Sequence, residues 1–169
     1  MKDLLQVIGF QPKENAKDIF IKKYPDGYII EIDFHKEIIK YGDKIICESK
    51  TTQNFSQSEN FVVLECVNRL LVKGYKPENI TLEKTWAAGH GTSGRLDICV
   101  TREDGSEYLL IECKTHGKEF EKEFTRMKQN GGQLFTYFKF SNKADVVMLY
   151  SSELKGKEIV YRNEIVKIE

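Results

Sequence analysis

The chain has 169 residues, enough for one domain with a sizeable hydrophobic core. Lys plus Arg and Asp plus Glu balance at 26 each, which excludes a polybasic binder of nucleic acid; any grip on such a partner must come from a local patch or a second protein. No apolar run approaches the roughly 20 residues that span a bilayer, the stretch Met1 to Gln6 lacks a signal-peptide core, and Cys47, Cys66, Cys99 and Cys113 have no zinc or redox spacing, so a cytoplasmic protein with reduced, packing cysteines is expected.

Residues 1–55 read as a β-rich extension. Ile19–Lys23 and Tyr28–Ile32 flank Pro25-Asp26-Gly27, a hairpin signal, and Ile38–Tyr41 and Lys44–Cys47 flank Gly42-Asp43, a second one. The polar stretch Ser49–Ser58 reads as a linker. A helix then starts with Ser56-Gln57-Ser58-Glu59, which fits a capping box, and stops at Gly74. At about 100° per residue its apolar face carries Val63, Cys66, Val67, Leu70 and Leu71. Glu59 falls on that side, either as a cap or as an inward carboxylate, whereas Glu65 falls with Asn68 and Arg69 on the face expected to be solvated. Ile80–Trp86 alternates as a strand with Ile80, Leu82 and Lys84 on one face.

Gly89-His90-Gly91-Thr92-Ser93-Gly94 spells G-x-G-x-x-G. A dinucleotide fingerprint should follow a strand and open a helix, but this one leads into a strand, so it reads as a connector or as a loop that lets a ligand approach the backbone. Two β-prone runs come next, Leu96–Val100 and Tyr108–Lys114, joined through Asp104-Gly105, the strongest short-range signal for a two-residue type I′ hairpin. In that register Glu103 faces Ser106, Cys99 faces Leu110, Asp97 faces Glu112 and Arg95 faces Lys114, while a type I turn with Gly105 as a bulge would shift the pairing by one. Opposed residues share a face of the sheet. Two opposed carboxylates are destabilising unless something positive lies between them, such as a divalent cation or Lys114. Cys99 and Cys113 fall on opposite faces and cannot bridge.

Lys118 to Gln129 reads as a helix with Phe120, Phe124 and Met127 as its apolar stripe and an alternating, solvated run of Lys and Glu. Gln133 and Tyr137, four apart, share a face of a second helical segment. Asp145–Tyr150 is a buried strand, and two short strands, Ile159–Tyr161 and Ile165–Ile168, close the chain.

The ordered set of Glu59 on a helix, Gly94-Arg95-Leu96-Asp97-Ile98, Leu110-Ile111-Glu112-Cys113-Lys114 and Gln133-Leu134-Phe135-Thr136-Tyr137 resembles the PD-(D/E)xK nuclease superfamily. Within it the chain is most similar to the N-terminal nuclease domain of type I restriction enzyme R subunits. The likeness covers about residues 56–150, with Leu96 where a proline usually precedes the aspartate. It implies an α/β fold: a restriction-endonuclease-like core over 56–169, with a central mixed β-sheet flanked by helices, preceded by the 1–55 extension. It also implies Mg²⁺-dependent, or Mn²⁺-dependent, hydrolysis of DNA phosphodiesters, with a helicase, translocase or methyltransferase as fused or associated partner. Asp97, Glu112, Glu59 and the Cys113 carbonyl would be metal ligands, Lys114 a catalytic group beside Asp97, Glu112 and Glu59, and Gln133 and Tyr137 contacts of the DNA backbone or positioning groups for Lys114; Arg95, facing Lys114 in the hairpin register, would contact phosphate or bend out to solvent. A non-catalytic binding module of the same fold and a stand-alone structure-specific nuclease are the alternatives.

Overall fold

The computed structural model describes residues 1–86, 94–129, 131–141 and 144–167. A short helix α1 (Lys2–Val7) precedes an antiparallel meander of β1 (Gln11–Lys13), β2 (Ala16–Lys23), β3 (Ile29–Asp33) and β4 (Ile38–Lys40). The first hairpin forms as expected, with Ile19 opposite Asp33 and Lys23 opposite Ile29. The second does not. The strand β5 (Ile46–Cys47) leaves the meander and joins the other sheet, running parallel to β6 (Ile80–Lys84). A two-residue apolar run has no means of naming its partner, and the backbone groups exposed at the β6 edge supplied one.

The main sheet has six strands in the order β10-β9-β8-β7-β6-β5, with β7 (Leu96–Thr101), β8 (Glu107–Cys113), β9 (Val146–Lys155) and β10 (Glu158–Lys167). It is mixed: β8 and β9 are parallel, β7 is antiparallel to both its neighbours, and β9 and β10 form a long antiparallel ribbon. Two short closing strands are thus replaced by one continuous strand. The polar residues Arg162-Asn163-Glu164 do not interrupt it, because β10 is an edge strand that remains largely in contact with water.

Helix α2 (Glu59–Val72) covers one face of this sheet, and α3 (Lys118–Lys128) with α4 (Gly132–Phe140) covers the other. Gly74 ends α2 in the left-handed region, at φ +92°, and the Tyr75 N–H returns to the Leu70 carbonyl. The helix departs from the amphipathic pattern: its polar residues Asn60, Glu65 and Asn68 are buried together with its apolar ones. The helix is covered on several sides: the meander residues Ile30, Ile32, Ile39 and Tyr41 share one apolar core with Val63, Leu64 and Val67, and Asn60 donates to the carbonyls of Thr51 and Asn54 in the preceding segment. Asn68 accepts hydrogen bonds from Lys22 Nζ at 2.6 Å and Tyr24 Oη at 3.1 Å. Glu65, expected in solvent, is 2 % exposed; it pairs with Arg69 at 2.7 Å and accepts a short hydrogen bond from the Tyr150 hydroxyl.

Candidate active site

The β7–β8 hairpin sets the site. Its tip is not the two-residue turn. Arg102 opposes Ser106, the Gly105 N–H bonds the Arg102 carbonyl at 3.0 Å, and Gly105 lies at φ +81°, so the loop is a type I turn with a bulged glycine. That turn displaces the register by one, and Thr101 opposes Glu107. A second irregularity cancels the displacement. Tyr108 has no opposite residue, and from Val100–Leu109 inward the strands pair as Cys99–Leu110 and Ile98–Ile111. Asp97 and Glu112 are therefore brought to the same end of the same face. Regular pairing stops there, and the Asp97 carboxylate instead accepts the Cys113 N–H at 2.7 Å.

Four charged groups converge at this point. Lys114 Nζ lies 2.7 Å from Glu112 and 3.5 Å from Glu59. Glu59 is thus the inward carboxylate; the Ser58 side chain makes no capping hydrogen bond, so the capping box is not formed. Glu112 is almost wholly buried, and burial pushes its carboxyl up to about 7 against the pull of Lys114. Asp97 keeps partial solvent contact, yet the protein packed around its carboxyl raises it well above the usual range, and the charge of Glu112 raises it further. Burial also raises Glu59, opposed by Lys114. Burial of Lys114 is outweighed by Glu112 and Asp97, which hold its ammonium charged. Cys113 is buried on the α2 side with its thiol against Cys66, which leaves its backbone free to serve the carboxylate side.

The helix face across from the hairpin supplies Tyr137. It is 4 % exposed, stacks on Trp86 with ring centroids 6.0 Å apart, and receives a long hydrogen bond of 3.5 Å from Gln133 Nε2. Gly94 is needed here, since a Cβ at that position would overlap the Tyr137 ring. Gln133 is exposed and, with Gly94, Arg126, Gln129, Thr136 and Tyr137, lines an open cleft of about 640 Å³. Tyr137 is thereby the link between cleft and carboxylates. Arg95 does not oppose Lys114: it lies 3.1 Å from Glu83 and donates to Ser49 at 3.0 Å. The remaining residues of the glycine-rich loop, Gly89 to Ser93, lie outside the described residues.

Two further acidic residues belong to the neighbourhood. Glu83 stands where β6 passes Asp97, between the pairs Leu82–Ile98 and Lys84–Leu96, with its backbone at φ +56° and its carboxylate buried against Arg95. A non-glycine residue in that region is strained, and such strain gathers at functional sites. Glu123, in the run expected to be solvated, is 3 % exposed; its Oε1 accepts the Gln133 N–H at 2.8 Å and so caps α4. Glu123 lies three residues after Phe120 and four before Met127, on the apolar stripe itself, and this spacing separates it from Glu119 and Glu121.

The donor set suits a hard divalent cation. Glu112 Oε2 is buried without a hydrogen-bond partner among the described residues, and a buried carboxylate oxygen in that state fits a ligand position. Among the described residues no group of three Asp, Glu, His or Cys side chains is close enough to hold a metal ion by itself.

A mixed sheet between helices, with an aspartate, a glutamate and a lysine gathered at the end of one hairpin, defines a nuclease-like core. The model of the type I restriction enzyme R protein N terminus matches residues 58–160, and the chain belongs to that family. A search of curated proteins found no match. The matched span starts at the N-cap of α2 and ends inside β10, so it contains every residue of the cluster. No helix among the described residues is long and apolar enough to cross a membrane.

Proposed function

We propose that this chain is a metal-dependent DNA endonuclease module of a type I-like restriction system, hydrolysing phosphodiester bonds. The observation that carries the reading is the convergence of Asp97, Glu112 and Glu59 around Lys114, on a hairpin whose register is corrected by a bulge to achieve it. Asp97, Glu112 and the Cys113 carbonyl would hold Mg²⁺ or Mn²⁺, with Glu59 reaching it through water. A divalent ion bound there polarises a phosphoryl oxygen and lowers the pKa of bound water.

The chain's own residues do the rest. Lys114 keeps its proton, so it offers charge and hydrogen bonds to oxygens that become more negative during phosphoryl transfer. Its present bonds to Glu112 and Glu59 aim the ammonium at the spot where a phosphate would arrive. Glu112 and Asp97, unwilling to ionise when alone, gain from a cation what Lys114 only partly supplies. Tyr137 borders both the carboxylates and the open cleft, and Gln133 and Arg126 on that cleft contact the DNA backbone. With balanced overall charge, productive grip on DNA depends on other subunits of the restriction system, a translocase or methyltransferase.

The test is nicking of supercoiled plasmid with Mg²⁺ or Mn²⁺, by the chain alone and with its restriction-system subunits. Lys114→Ala is expected to lower the rate by on the order of 10²–10³ while leaving the fold intact. Full activity of Lys114→Ala in the assembled system would sink the mechanism and favour a non-catalytic DNA- or partner-binding module.

A further inference from the structure

The ends of the two sheets are guarded unequally. The meander closes on β1, three residues with Pro12 and a register shift, and on β4, also three residues. The main sheet closes on one side with the two residues of β5. Such short or proline-bearing edges are how folded proteins prevent strand-to-strand association. The remaining edge, β10, is ten residues long, unbroken in its pairing with β9, and free of proline and glycine. Among the described residues its backbone bonds only β9. It also carries exposed apolar side chains: Val160 at 39 %, Tyr161 at 47 %, Ile165 at 54 % and Val166 at 36 %.

We infer that β10 is an interface that pairs, antiparallel, with β10 of a second copy of this chain, extending the sheet across a two-fold axis. The commitment to a second copy comes from the strand's own sequence. A two-fold axis normal to the sheet requires one residue to oppose itself. With Asn163 on the axis, Arg162 opposes Glu164 of the other copy, Tyr161 opposes Ile165, and Val160 opposes Val166. Each of these pairings occurs twice and each is favourable across a strand pair. Arg162 and Glu164 already contact one another at 2.9 Å within the strand, so across the axis every charge would have opposite neighbours both along and across the sheet. Centring on Arg162 instead would set two guanidiniums face to face. Asn163 on the axis can give and take a side-chain amide hydrogen bond with its own copy. About nine residues from each copy pair in this register, which gives a number of hydrogen bonds near the roughly ten of a typical interface. The inference is independent of the carboxylate cluster.

Charge exchange tests it. Wild-type protein, R162E, E164R and an equimolar mixture of the two variants are compared by sedimentation over a concentration series from nanomolar to high micromolar, with thermal melts to confirm folding. The wild type is expected to reach twice the monomer mass. Each reversal alone opposes like charges and should stay monomeric at the same concentrations, while the mixture restores opposite charges and should regain the doubled mass. N163K, exposed and away from the contact of Arg162 with Glu121, should also dissociate the dimer by opposing two ammonium groups. A wild type that is monomeric throughout, reversals that associate like the wild type, or a mixture that fails to recover the doubled mass would each overturn the proposal.

Discussion

Glu112→Gln tests the electrostatics of the cluster without removing its shape. In the folded protein the Glu112 carboxyl is raised from the usual 4.5 to about 7 even with Lys114 beside it. At pH values above that range the folded state must hold an ionised group that it disfavours relative to the unfolded chain, at a cost on the order of 3 kcal/mol. The sign follows from proton binding. The folded form keeps its proton to higher pH, so the benefit of the protonated group is fully present below the unfolded value near 4.5. It is lost as pH rises toward 7, and stability levels off above that. A neutral amide has no such dependence. In metal-free buffer at pH 8 the variant should therefore melt above wild type, by roughly 6–12 °C for a chain of this size, and the gap should shrink toward pH 5. Mg²⁺ should raise the wild-type melting temperature and leave the variant unmoved. Scanning calorimetry from pH 5 to 8 with EDTA, then with Mg²⁺, measures all of this. A wild type whose melting temperature does not fall across the range, or a variant that melts below wild type at pH 8, would refute the account of Glu112 as a carboxylate held against its preference.

Three other substitutions probe the surroundings. Gly94→Ala places a methyl group in the Tyr137 ring and should destabilise by about 1–3 kcal/mol, lowering plasmid nicking at the same time; unchanged melting and nicking would deny the close approach. Gly132→Ala combines a left-handed backbone at φ +86° with an overlap on the Glu123 carboxylate, and should cost at least about 1 kcal/mol in chemical denaturation, with Gln133 amide exchange accelerating as its cap is displaced. Tyr150→Phe deletes the hydroxyl that joins Glu65 to Arg69 behind the sheet and should cost on the order of 1–3 kcal/mol by urea titration, while metal-dependent nicking stays near wild type.

That Asp97 and Glu112 lie at one end of one hairpin is legible because two β-prone runs flank a turn signal and Cys99 pairs with Leu110, although regular pairing stops at Ile98–Ile111, just before the two carboxylates. The turn is the alternative the sequence leaves open: Asp104-Gly105 serves a type I turn with a bulged Gly105 as readily as a type I′ one, and Tyr108, without an opposite residue, reconciles that turn with the site. Glu59 was separated from Glu65 correctly, but the destination of Glu65 was not. A helical wheel shows which face is apolar and cannot show what will cover the polar one: Tyr150, 85 positions later, takes Glu65, and Lys22 and Tyr24 of the meander, 46 and 44 positions earlier, take Asn68. The stripe of Phe120, Phe124 and Met127 carries Glu123 inward but does not show its partner, a backbone N–H ten positions away, and β5 is too short to declare its sheet. Arg95 was placed by extrapolating a ladder that ends at Leu96, beyond which Glu83 takes its charge.

The paired irregularities of the β7–β8 hairpin separate its tip from its working end. The loop from Glu103 to Gly105 is exposed, and its offset is absorbed within a few residues by Tyr108, before the strands reach Leu110 and Ile111. Alignment at the carboxylates is fixed by the fit of Ile98, Cys99, Leu110 and Ile111 into the core, so length and composition at the tip are free to drift. That makes the tip a natural place for inserted segments during divergence, and a permissive one for a peptide tag or fluorophore that must leave the chemistry at the far end undisturbed.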